Sequence, residues 1–458
     1  MTKSDFKYAM QRGLGSCALA IQSASDMEQY RDIILWGCLR NLSFDTQCEG
    51  TRARYLYELA AHYDNEAYFV EPVVAAFKKI RSTNGWGKWR FTHYCEILLC
   101  FAQAGNAEAR AALYEKYNVL YQKLLRAHNG SRASWSLAWD FEALCIVLTS
   151  LDGIDRYLST ASDIGALFKK SRFTVDDFWC FIDNGKSEFG EKRICKNLLK
   201  AAEDSETLAC FCDQIREQER VNRERRPVPT QMADTADELL EKAATGELSI
   251  AKRVQFRRAA SDEEKKKLAE HILACDQPSV KAVLLSTFFG IDFPGPCEAI
   301  IADVCSENPQ LQEAALKVLE TCRDEAVRIL ALKLLSEKVH TANAICMLIT
   351  NYCKNDKNAL LKALYRLPVT YSNVSGWHGI TRHILWAFEQ GVCRVYPREL
   401  LDYIYRNSLC SGCREEAVKQ LIRQKWLTSE IMNECHYDSN AHIREYIAHI
   451  QKEKKYSE

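Results

Sequence analysis

Apolar residues recur along this chain at helical spacing, and most regularly between residues 308 and 338. From Leu311 the apolar positions are Leu311, Ala314, Ala315, Val318 and Leu319; from Val327 they are Val327, Leu330, Ala331, Leu334 and Leu335. Both sets form one continuous stripe on a 3.6-residue helix. Three residues before each stripe stands a side chain that accepts hydrogen bonds from first-turn amides, Asn308 and Asp324, and Pro309 occupies a position where its missing N–H costs nothing. The pattern predicts two capped helices of about three turns. Helices that short are marginal alone in water, so they must stack.

The same stripe recurs on both sides, starting at 280, 297, 311, 327, 345 and 360. Two helices therefore make a unit of about 31 residues, the period of helical-hairpin repeats, whose units cannot bury their apolar faces without neighbours. Asp324-Glu-Ala-Val327-Arg328 places an acidic cap, an apolar residue and a base at the start of a helix, and Gln277-Pro-Ser-Val280-Lys281 and Asn440-Ala-His-Ile443-Arg444 echo it. On these residues the chain resembles the HEAT-like repeat proteins, closely over 280–458 and loosely before. The resemblance implies an all-α fold, an α-solenoid of stacked antiparallel helix pairs, in two arrays.

Earlier in the chain, helices are predicted at about 4–24, 31–42, 50–63, 67–81, 89–104, 106–127 and 134–151, with turns at Asn84-Gly85, Gly105-Asn106 and Asn129-Gly130. Residues 152–213 continue as helix with less regular spacing. From Gln214 the chain turns charged, and Pro227 and Pro229 block a continuing helix. The expected organisation is an N-terminal helical array at 1–213, a charged linker at 214–250 and a C-terminal HEAT-like array at 251–458.

Composition narrows the picture further. Only 9 Pro and 19 Gly in 458 residues suit helices joined by short turns and count against a sandwich or barrel. Lys plus Arg equals Asp plus Glu at 61 each, which gives no global attraction for nucleic acid or anionic lipid. The 20 cysteines fall inside apolar stripes, as at Cys17, Cys38, Cys145 and Cys346. Charges interrupt the first dozen residues, and no apolar run approaches the roughly 18 residues of a membrane span. The reading is a reduced, cytosolic protein with no membrane partner.

Motifs of catalysis are sparse. Gly13-Leu14-Gly15-Ser16-Cys17-Ala18 matches a dinucleotide-binding spacing, but no strand precedes it, so small residues at a close helix contact are expected. Gly185-Lys186-Ser187 ends like a phosphate loop but lacks the first glycine, since Cys180 stands there. Cys410 and Cys413 have the spacing of a zinc half-site, and Cys435, His436 and His442 could supply the rest; the irregular spacing of this second half favours structural thiols. His-Glu pairs and Gly-x-Ser-x-Gly are absent. No catalytic residue, cofactor site or metal-ligand set is predicted.

The densest mixture of aromatics and cations is Asn84-Gly-Trp86-Gly-Lys88-Trp89-Arg90-Phe91-Thr-His93-Tyr94. Such a mixture suits a protein-binding hot spot or a base-stacking surface, with packing under a turn as the plainer use. Trp86, Lys88, Trp89, Arg90 and Tyr94 are the candidate binding residues. Trp135 and Trp139 share a helical face, which predicts core, with Asp140 and Glu142 beside them.

The expected function is a non-catalytic scaffold binding another protein along a concave surface or at the N-terminal aromatic edge. The alternative from the enzyme class is a HEAT-like DNA glycosylase for alkylated bases, a family the pattern also resembles. That activity needs Arg, Lys, Trp and a carboxylate to converge on a basic surface, and balanced charge argues against it. A phycobilin lyase shares the repeats, but no residue here can be assigned to that chemistry.

Overall fold

The structure is a computed structural model that describes residues 1–80, 87–127, 132–170, 173–224, 233–367, 374–393 and 395–457. Among these residues the chain forms 27 α-helices and no strand. No helix among them is long and apolar enough to cross a membrane. The turns Asn84-Gly85 and Asn129-Gly130, and Pro227 and Pro229, lie outside the described residues.

By contacts the chain divides into two compact units. One comprises Met1–Pro227, Leu409–Ser411 and Thr428–Glu458; the other comprises Val228–Ser408 and Gly412–Leu427. Residues 428–458, grouped by sequence with the second array, thus fall in the first unit.

In the second unit, helices start at intervals of about 16 residues, half the hairpin repeat. Pro278–Leu285, Pro309–Leu319, Thr341–Thr350 and Val374–Glu389 pack successively in one row, and Cys297–Asp303, Glu325–Glu337 and Lys357–Arg366 in another. The caps act as the residue types predict. Asn308 accepts from the amides of Gln310 (3.0 Å) and Leu311 (3.1 Å), and Asp324 from that of Ala326 (2.7 Å). All five predicted stripe residues of Pro309–Leu319 are buried. In Glu325–Glu337 only Val327, Ala331 and Leu334 are buried, while Leu330 and Leu335 are half-buried.

Arg328 shows what the basic residue after the cap does. Its guanidinium donates two bonds to Asp356, Nε to Oδ2 at 2.9 Å and Nη2 to Oδ1 at 2.7 Å. Asp356 is buried and also accepts from the Cys353 amide at 2.9 Å. Held by these donors against the cost of its burial, the carboxyl sits below the usual carboxylate range.

The first unit has the same alternation with longer helices. Arg31–Cys38, Ala53–Ala60, Gly87–Gln103, Arg132–Asp152 and Trp179–Phe189 contact one another in turn, as do Ala67–Lys79, Ala107–Arg126 and Ile154–Lys169. The single helix expected over 4–24 is two, Lys3–Arg12 and Ser16–Ser23. Gly13 adopts φ 74°, a left-handed conformation that glycine enters without penalty, and its N–H closes the first helix on Ala9 and Met10. Gly15 is there for room: a Cβ would lie 1.9 Å from the Glu434 carbonyl oxygen. Around it the Ser439 amide donates to the Gly13 carbonyl (2.8 Å) and the Ser16 amide to Glu434 Oε1 (3.3 Å). The Gly-x-Gly run is therefore a close helix contact. Gly185 and Lys186 likewise sit inside Trp179–Phe189, with Gly185 against the Tyr157 ring and Lys186 bridged to Glu219 at 3.2 Å.

The obstruction at Gly15 is backbone and cannot rotate away. Gly15→Ala should destabilise the chain by about 3 kcal/mol, the upper range for overpacking, measured by urea unfolding against Lys333→Glu, an exposed control. A Gly15→Ala variant within 0.5 kcal/mol of the parent would refute the packing account.

Candidate functional site

The helices Ala67–Lys79, Gly87–Gln103, Ala107–Arg126 and Arg132–Asp152 pack on one another in the first unit. Between them opens a cavity of about 790 Å³, within the size range of ligand pockets. Ile80 lines it together with Phe91, a member of the aromatic and cationic stretch picked out in the sequence. Its apolar wall is Ile80, Phe91, Leu120, Val119 and Leu137. Its charged wall, among the described residues, is Lys78, Lys79, Lys116 and Lys123 against Glu115 and Asp140.

The lysines do different things. Lys116 Nζ donates to the carbonyls of Phe77 (3.2 Å), Lys78 (3.3 Å) and Ile80 (3.0 Å), the unpaired end of Ala67–Lys79 where the helix dipole is negative. Partial burial, and then the neighbouring Lys123 ammonium, push its pKa down. Lys78 pairs with Glu115 at 3.0 Å between two exposed side chains, a contact worth little. Lys79 and Lys123 are exposed. Asp140 is buried in the wall, where its charge supports the Lys116 ammonium.

The candidate residues divide between surface and core. Arg90 is exposed, with Nε 3.2 Å from the Tyr94 hydroxyl. Trp89 is half-buried, edge to face with Trp139 at 5.6 Å between centroids. Tyr94 is a core residue at 1% exposure, and its hydroxyl donates to the Leu39 carbonyl at 3.0 Å. His93 is buried beside it, Nε2 at 3.0 Å from the Cys38 carbonyl, and burial lowers its pKa to about 4, so the ring is neutral. Phe91, His93 and Tyr94 are thus all core, and only Arg90, near the start of Gly87–Gln103, faces water. Trp86 and the Lys88 side chain lie outside the described residues.

The second aromatic group departs from expectation. Trp135 is 73% exposed, a large apolar surface beside the cavity-lining Leu137, while Trp139 is half-buried against Trp89. Trp135 is one turn nearer the helix start than Trp139. Glu142 is buried, and its Oε1 accepts from the Phe181 amide at 3.0 Å, supplying a cap to Trp179–Phe189 from another helix. Burial raises its pKa to about 7 against the pull of that bond.

No known family, curated protein or solved structure matches the chain.

Two measurements follow from these side chains. Lys116→Met removes three charge-assisted bonds to helix-end carbonyls and should cost about 2 kcal/mol. Lys79→Ala and Lys123→Ala should stay within about 0.5 kcal/mol of the parent. Equal losses at all three would show that Lys116 caps nothing. Glu142 binds its proton more tightly folded than unfolded, so its contribution to stability falls as pH rises from about 4.5 to about 7. The unfolding free energy of the parent minus that of Glu142→Gln should drop by about 3 kcal/mol over that window; a flat difference would exclude a raised pKa.

Proposed function

We propose that this chain is a HEAT-like α-solenoid scaffold that holds a protein partner at the lysine-lined edge of its first unit, gripping an acidic and apolar segment of that partner. The observation that carries the reading is the cavity between the four helices, where lysine ammoniums stand around an apolar floor. A chain without net charge has no long-range field to gather a ligand, so recognition depends on a local excess of charge and on apolar contact. Both occur here. Lys79 and Lys123 offer cations at the surface, and exposed Trp135 and Val119, with half-buried Trp89 and exposed Arg90, supply residue types that dominate binding energy or flank it. Helices that contact every second neighbour support the repeat reading, since hairpin stacks leave such edges open for partners.

The glycosylase reading draws on the same lysines, on Trp89 and on Asp140. Two features weigh against it. Glu115 and Asp140 interrupt the cationic wall, where a phosphate backbone needs several unopposed contacts, and Asp140 at 1% exposure is closed to a base.

Affinity capture from the cell of origin, comparing the parent chain with Lys79→Glu/Lys123→Glu, tests the proposal. An acidic partner retained by the parent should be depleted at least ten-fold by the variant at unchanged melting temperature. Titration against single- and double-stranded DNA at two salt concentrations runs alongside. Tight DNA binding that weakens steeply with salt and is lost in the variant would overturn the scaffold reading in favour of nucleic acid.

A further inference from the structure

A second polar cluster lies in the other unit, where Pro309–Leu319, Thr341–Thr350 and Val374–Glu389 pack in succession. Glu320 caps the end of the first of these helices, Cys346 stands on the second and His383 on the third. One carboxylate oxygen, the thiol sulfur and one imidazole nitrogen lie within 4.8 Å of one another. All three residues line one cavity of about 500 Å³. We propose that Glu320, Cys346 and His383 bind a zinc ion whose fourth position opens into this cavity.

The donor set is the argument for zinc. Thiolate sulfur, imidazole nitrogen and carboxylate oxygen are its three protein ligand types, and three protein ligands with an open position is the arrangement of reactive zinc sites. Tetrahedral bonds would bring the donors to about 3.5 Å apart, so the cluster must close by about 1 Å, within reach of side-chain rotation.

Supporting residues already orient two of the ligands. Thr350 Oγ1 donates to the Glu320 carbonyl at 2.6 Å and so must accept from His383 Nε2 at 2.9 Å. That bond holds the imidazole in place, as the outer hydrogen bonds of metal-binding histidines do. Asn343 Nδ2 donates to Glu320 Oε1 at 2.8 Å. Zinc binding to this set releases the thiol proton to solvent.

Lys317 is the competitor. Its ammonium lies 2.9 Å from Glu320 Oε1, on the oxygen that Asn343 also holds. The side chain is 46% exposed and Glu313 is close enough to attract it, so the ammonium has somewhere to go when a dication arrives. It sets a threshold on affinity that its removal would lower.

The test uses the full chain, reduced and stripped with chelator, titrated with Co²⁺ by absorption and with Zn²⁺ against a chromogenic chelator. The parent should bind one equivalent with a thiolate-to-cobalt charge-transfer band. Cys346→Ser and His383→Gln should lose that band and at least 100-fold in affinity, and Thr350→Val should lose about ten-fold, as outer hydrogen-bonding partners do. Lys317→Met, at a half-exposed position that should not disturb folding, should bind at least ten-fold more tightly. That last result stands even if a buried substitution unfolds the chain. No equivalent bound by the parent, a band that survives both ligand substitutions, or unchanged affinity in Lys317→Met would overturn the site.

Discussion

Each short helix leaves amides at one end and carbonyls at the other without partners, and the fold depends on where those groups find them. Part of the answer is local, in Asn308, Asp324 and Thr235. The rest comes from one hairpin away. In the second unit Thr321 donates to the Ile291 carbonyl, Thr350 to that of Glu320 and Arg257 to that of Thr287, each 30 residues distant, and Asn351 reaches back 29 to Cys322. In the first unit the corresponding spacing is longer: Tyr55 to Leu14 at 41, Asn106 to Glu66 at 40, and Glu142 to Phe181 at 39. Apolar burial holds the stripes together, but these bonds fix the register of one hairpin on the next, because a slip of one residue would leave buried polar groups unpaired.

That difference in spacing explains how much of the architecture the sequence discloses. Where the hairpin is short, the stripe repeats often enough to be seen, and both helices predicted between 308 and 338 are present with their caps. Where helices run to 20 residues, as in Ala107–Arg126, the elements are still legible from turns, but the period is diluted. The break at Gly13 was harder to read, because a left-handed glycine interrupts a stripe that remains apolar on both sides. The packing of residues near 434–439 against Gly13–Ser16 has no sequence signal at all. It depends on a contact between segments some 420 residues apart.

The candidate site was legible to a similar degree. Periodicity could not say whether Trp135 or Tyr94 would be the buried ring, since each lies on a face whose partner helix is known only after folding. Composition singled out a stretch of which Phe91 lines the first unit's cavity, yet Lys78, Lys116 and Lys123 belong to neighbouring helices and look like ordinary solvated charges in the chain. The carboxylate, thiol and imidazole of the second unit were invisible for the same reason. Cys346 reads as one more apolar stripe residue, and Glu320 and His383 are 63 positions apart.

Each cavity borders a helix end, at Lys79 and Ile80 in the first unit and at Glu320 in the second, and the physics of the stack favours polar groups there. Mid-helix positions in a hairpin array are committed to apolar packing, where a charge costs several kcal/mol unless paired. A helix end must be met by polar groups anyway, so a lysine such as Lys116 at the last carbonyls of Ala67–Lys79 is stabilised there at little cost, while a carboxylate such as Glu320 at the end of Pro309–Leu319 is held against the dipole by Lys317 and Asn343. Once present, these groups give the neighbouring surface a charge and a hydrogen-bonding character that the overall balance of 61 cations and 61 anions conceals. The groups that close each hairpin against its neighbour are thus the same groups on which the proposed recognition and ligation rest, and substitutions that separate the two roles must be aimed at side chains, such as Lys79 and Lys123, that no helix end requires.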